Sequence, residues 1–89
     1  MTITTINLIK SFANGATSGN TGPSQYYNGT VQRASIIDDI LYSYRTPIAK
    51  RTNDGIILNK SKYSSTTSKL QNYIRNYTNV IDEVDEISL

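Results

Sequence analysis

Several stretches of the chain carry a readable rhythm of apolar positions. Residues 65–77 place Leu70, Tyr73, Ile74 and Tyr77 at i, i+3, i+4 and i+7, the spacing of one helical face. Ser64 or Ser65 can cap the start. The opposite face carries Ser68, Lys69, Gln71, Asn72, Arg75 and Asn76. A helix this short depends on packing against a sheet. Residues 5–13 predict a second helix, with Ile6, Ile9, Ala13 and Ala16 aligned. Thr4 or Thr5 can cap it, and Asn14-Gly15 supplies a left-handed stop. The alternation of Ile6 and Leu8 among β-branched neighbours competes as a strand signal; helix is the reading adopted.

Between these helices the pattern shortens to that of strands. Residues 31–37 predict a strand, and Asp38-Asp39 a turn. Residues 40–51 predict one longer strand, with Tyr42, Tyr44, Thr46 and Ile48 on one face and Leu41, Ser43 and Arg45 on the other. Pro47 cannot donate to a central ladder, so it marks an edge or a bulge. Asn53-Asp54-Gly55 is a strong hairpin signal, and residues 56–60 return as a third strand. The fold expected is α+β: a short N-terminal helix, a three-stranded antiparallel meander, one amphipathic helix packed on the sheet, and an acidic C-terminal tail. Residues 1–79 are expected to form one small domain. Within it, residues 14–30 hold four of the five glycines and Pro23 and predict a long loop. Tyr26 and Tyr27 are its large side chains. Residues 80–89 place Val80, Val84 and Ile87 at helical spacing. Four acids at the end of a continuous helix would oppose its macrodipole, so a separate tail is expected.

Composition narrows the chemistry. With 89 residues, 37% of them hydrophobic, a modest core is available. There is no Cys and no His. Disulfides, thiolate chemistry and the commonest general base are therefore excluded. Asp38-Asp39 sits in a turn, where adjacent acids are usually solvated turn formers. Gly15, Gly19 and Gly22 lack the spacing of a phosphate loop. No enzyme activity, cofactor or metal is expected. Neither a signal sequence nor an apolar run of membrane-spanning length is read here, so a cytoplasmic protein without a membrane partner is expected.

Charge is unevenly distributed. Residues 1–79 hold all nine Lys/Arg and three acids, whereas residues 80–89 hold Asp82, Glu83, Asp85 and Glu86 and no base. A basic body suits a polyanion or an acidic partner, and the tail can compete for the same surface. Arg45, Lys50, Arg51, Lys60 and Lys62 are expected to cluster on the hairpin and the following turn. Lys69, Asn72 and Arg75 are expected on the outer helical face. Tyr42, Tyr44 and Tyr63 are interleaved with these cations. Lys and Arg can neutralise phosphates while Tyr stacks on bases. Equally, Tyr and Arg are the residue types of protein interface hot spots. The plainer alternative is that the cations face water and the tyrosines pack; for Tyr73 and Tyr77 core packing is the expectation.

Leu41-Tyr42-Ser43-Tyr44-Arg45-Thr46-Pro47-Ile48-Ala49, followed by Lys62-Tyr63-Ser64-Ser65-Thr66-Thr67-Ser68-Lys69-Leu70-Gln71-Asn72, resembles a group of small bacteriophage and mobile-element proteins without an established common function. That group carries Gly at the place of Arg45 and often His at the place of Leu70. The resemblance covers under half the chain and imports no mechanism. It implies a phage–host setting, in which small proteins without catalytic groups often block a host machine, CRISPR and other defence systems included. The first expectation is thus an anti-CRISPR-like inhibitor in the host cytoplasm, with a host protein or ribonucleoprotein complex as partner, contacted through the basic and Tyr side chains of the hairpin surface and through Asp82, Glu83, Asp85 and Glu86 of the tail. The second is a small regulator that binds nucleic acid directly. The third is a self-associating structural protein, such as a homodimer.

Overall fold

A computed structural model describes residues 4–22 and 33–88. The segment expected to hold Tyr26 and Tyr27, and the start expected for the first strand at 31–32, lie outside the described residues. Among the described residues the order of elements is α1 (Thr5–Ala13), β1 (Ser18–Asn20), β2 (Ala34–Ile37), β3 (Ile40–Ser43), β4 (Thr46–Arg51), β5 (Ile56–Asn59), α2 (Ser65–Tyr77) and β6 (Val80–Val84). All six strands join one sheet in chain order. Strands β1 to β5 run antiparallel in sequence, and β6 lies parallel to β5 after the crossover through α2. The α+β class stands, with two helices as expected. The three-stranded meander does not; the sheet is six-stranded and mixed.

Both helices cover one face of this sheet. Leu8, Ile9 and Phe12 of α1 and Leu70 and Ile74 of α2 close on Ala34, Ile36, Leu41, Ala49, Ile56 and Leu58. The buried stripe of α1 is therefore Leu8, Ile9 and Phe12, and Ala13 is exposed. On α2 the expected Leu70 and Ile74 are buried, while Tyr73 packs at the core margin and Tyr77 is 43% exposed. Gln71, assigned to the outer face, is buried and donates to the carbonyls of Asn59 at 2.7 Å and Ser61 at 2.8 Å. The caps fall where the hydroxyls predict. Thr4 Oγ1 accepts from the Asn7 amide at 3.4 Å, and Ser64 Oγ from the Thr67 amide at 3.2 Å. Gly15 follows α1 with φ +106°.

Residues 40–51 form two strands, not one. Ser43 pairs with Thr46, so the chain reverses at Tyr44-Arg45 with Tyr44 at φ 56°. No Gly, Asn or Pro announces this turn. The β3–β4 ladder also shifts between Leu41 and Tyr42. Leu41 pairs with Ala49 and Tyr42 with Pro47, which leaves Ile48 as an extra residue. Ile48 and Ala49 are consequently both buried, which a strict two-residue alternation forbids. The bulge foreseen for Pro47 lies beside it.

Residues 14–30 are not loop throughout, because Ser18–Asn20 pairs with β2. Nor are residues 80–84 a tail apart from the body: they are strand β6 on the β5 edge. Val80 packs against the core. At Gly55, φ is +149°, and an added Cβ would stand 2.7 Å from both the Asn79 carbonyl oxygen and Ile81 Cγ2. The hairpin glycine is thus also where β6 approaches.

Candidate functional site

The topology sorts the charged residues into two ends of the sheet. Antiparallel pairing places the start of β4, the end of β5, the β3–β4 turn and the β5–α2 loop together. Tyr42, Tyr44, Arg45, Lys62 and Tyr63 belong to this end. Arg45, Lys62 and Tyr63 are exposed, and Tyr42 and Tyr44 half-buried. Asn59 is the hub that holds it. Its side-chain amide donates to the Pro47 carbonyl at 3.0 Å and to the Tyr63 hydroxyl at 2.9 Å, and its Oδ1 accepts from the Ser61 amide at 3.0 Å. Asn59 is 1% exposed, so Tyr63 is tethered by a group that cannot swing out. A groove of about 700 Å³ runs past Pro47, Tyr63, Asp85 and Glu86. Neither Arg45 nor Lys62 has an ion-pair or hydrogen-bond partner among the described residues.

Arg51 sits at the other end and has a structural task. Its guanidinium donates to the carbonyls of Phe12, Ala16 (2.8 Å) and Asp38 (3.3 Å), and lies 4.9 Å from the centre of the Phe12 ring. The Phe12 carbonyl, which also accepts from the Gly15 amide at 3.1 Å, lies in the last turn of α1, where the helix dipole favours a cation. Lys10, in the last turn of α1, stands over the Tyr77 ring at 5.3 Å. The expected cluster of Arg45, Lys50, Arg51, Lys60 and Lys62 is therefore split. Lys50 alternates with Arg51 on β4 and turns to the face away from the helices, paired with Ile40 and Ile57. Ile37, also on that face, is 59% exposed.

The acids of the C-terminal segment meet the body's own cations. Arg75 donates to Glu83 through Nη2 at 2.9 Å and Nε at 3.3 Å, and through Nη1 to Asn72 at 3.0 Å. Hydrogen bonding from Arg75 holds the Glu83 carboxyl below its usual range, and the same contact raises the Arg75 guanidinium. Asp85 pairs with Lys60 at 3.5 Å. Asp82 Oδ1 accepts from the Glu83 amide at 2.9 Å. Glu86 is exposed. Of the helix trio Lys69, Asn72 and Arg75, only Lys69 is without a partner among the described residues.

The chain matches a family of unknown function, DUF8033, over residues 7–88. It belongs to that family. The DUF8033 match begins within α1 and extends past β6, so it takes in both helices, the whole sheet and the acidic segment. No curated protein and no solved structure matches the chain. No helix of this DUF8033 member is long and apolar enough to cross a membrane, among the described residues.

Proposed function

We propose that this DUF8033 protein is a small non-enzymatic binding protein of phage type. It would act in the host cytoplasm by occluding a surface of a defence or nucleic-acid-handling complex, in the manner of an anti-CRISPR protein. One observation carries the reading. Tyr42, Tyr44, Arg45, Lys62 and Tyr63 converge at one end of the sheet, and its two cations lack partners among the described residues. Rigid aromatic and Arg side chains on a fixed scaffold are what a protein interface uses for its strongest contacts. The phage resemblance supplies the setting.

Groove binding by the outer face of α2 is the weaker alternative. Arg75 is held by Glu83 and Asn72 by Arg75, so a phosphate or base would have to displace an existing pair.

The test is protection of an incoming plasmid in cells with active interference by a defence complex. Expression of the protein should raise plasmid establishment, and Arg45→Glu with Lys62→Glu should abolish the gain without lowering the melting temperature. Tight, steeply salt-dependent retention of DNA or RNA by the purified chain, with no protection in cells, would replace this reading with direct nucleic-acid binding.

A further inference from the structure

A second cavity of about 350 Å³ lies between the starts of the two helices and the edge of β2. Its lining has one chemical sense. Arg33, just before β2, and Lys69, on α2, supply two cations from separate elements. Among the described residues, ten line it and none of these is acidic. Arg33 is oriented by donating to the Thr21 carbonyl at 2.9 Å. Lys69 has no ion-pair or hydrogen-bond partner among the described residues.

Two buried hydroxyls in the lining point the same way. Thr21 is 8% exposed, and its Oγ1 accepts from the Ala34 amide at 3.1 Å. Its own hydroxyl hydrogen has no acceptor among the described residues. Ser43 is 2% exposed and shares a 2.8 Å hydrogen bond with Thr67 Oγ1, to which Ser64 Oγ also donates at 3.3 Å. Three hydroxyls with two hydrogen bonds between them leave one donor over in this chain. Buried donors normally find acceptors. Cations and hydroxyl donors together call for a ligand made of acceptors, and a phosphate's oxygens answer that need. The first turns of α1 and α2 carry no acidic residue and contribute Thr5 and Thr66 to the same wall. Their free amides add to the positive potential. The remainder of the wall is not suited to phosphate alone. Leu70 and Tyr73 form an apolar, aromatic side, and the volume falls within the range of small-molecule sites.

We propose that this cavity binds a mononucleotide-class phosphate monoester. The phosphate would lie between Arg33 and Lys69, within reach of Thr21 and Ser43, and the base against Tyr73. This inference is independent of the occlusion reading, since it concerns different residues and a small ligand.

The test is titration of the purified full chain with AMP, adenosine and inorganic phosphate, read by calorimetry and by backbone amide shifts. AMP should bind and move amides at 5–6, 21, 33–34, 43 and 66–69. Adenosine and inorganic phosphate should each bind at least about 10-fold more weakly, because each lacks half of the complementarity. Arg33→Gln and Lys69→Gln, both at exposed side chains, should each weaken AMP by about 10-fold or more and leave the melting temperature unchanged. Thr21→Ser, which keeps the hydroxyl, should retain binding. Any of three results overturns the proposal: no shift of these amides up to about 10 mM AMP, far above any useful affinity; adenosine or phosphate equal to AMP; or variants that bind AMP as the parent does.

Discussion

The two ends of the sheet differ in what their arginines face. At the β4–β5 hairpin end, Arg51 is turned onto the Phe12 and Ala16 carbonyl oxygens at the close of α1. At the β3–β4 turn end, Arg45 is exposed at the same end of the sheet as Tyr44 and Lys62, and both helices begin there rather than end. Side chains of identical chemistry are thus assigned opposite roles by helix polarity. Where helices end, a cation completes the fold. Where they begin, a cation is surplus to it and remains available to a partner.

The largest effect that separates these ends is expected from Arg51→Ala. It removes the guanidinium donor from the Phe12 and Ala16 carbonyls, of which Phe12 keeps its bond from the Gly15 amide, and it removes packing on the Phe12 ring. The loss should be about 3 kcal/mol, a fall in melting temperature of more than about 10 °C for a chain of this size. Arg45→Ala should stay within about 0.5 kcal/mol of the parent. Equal losses from the two substitutions, measured by thermal denaturation, would erase the distinction.

Next in size is Gly55→Ala, expected to cost about 2 kcal/mol through its positive φ and the Asn79 and Ile81 contacts. Because those contacts belong to the approach of β6, hydrogen exchange should accelerate most in residues 80–84. Uniform acceleration would mean that the hairpin, and not the β6 contact, is what Gly55 serves.

A smaller effect concerns the pairing of the acidic strand with α2. The folded-state Glu83 value lies below its unfolded one. Its stabilisation is therefore complete above the ordinary Glu range, about pH 4.3, and disappears as pH falls through the lower folded value. The gap in melting temperature between the parent and Glu83→Gln should be open at pH 6 and shrink as pH falls below the ordinary Glu range. It should also narrow in high salt, as both partners are surface groups. A gap that ignores pH would show the carboxylate charge to be idle. The smallest effect is expected at Asp38, whose φ is 55°. Asp38→Gly should change stability by no more than about 0.5 kcal/mol, since Asp tolerates this region better than most residues and Gly has its own entropy cost.

What the sequence reveals of this fold is what local chemistry encodes. Ser64, Thr4 and Asn14-Gly15 announce the two helices, and Asn53-Asp54-Gly55 the β4–β5 hairpin, because capping and turn geometry depend on a few adjacent residues. The β3–β4 turn is silent, since Tyr44 takes a left-handed conformation that its residue type disfavours. Strand β6 is silent for another reason. Its ladder with β5 is parallel and crosses a whole helix, and the four-residue spacing of Val80 and Val84 fits a helical period as well as a strand. The candidate site inherits these gaps. One residue of alternation separates Lys50 from Arg51, and it decides which faces the helices. The bulge at Ile48 sits between them and Tyr42. Arg33, Thr21 and Ser43 carry no motif at all; only the fold brings them to Lys69.

If the Tyr44–Arg45 end is the surface presented to a host complex, hydrogen-exchange footprinting of the protein bound to a defence complex that it inhibits should show slowed exchange at residues 42–47 and 60–64, with residues 52–55 unchanged. Slowing confined to the Asn53-Asp54-Gly55 hairpin or to the exposed Ile37 face of the sheet, with residues 42–47 unaffected, would contradict it.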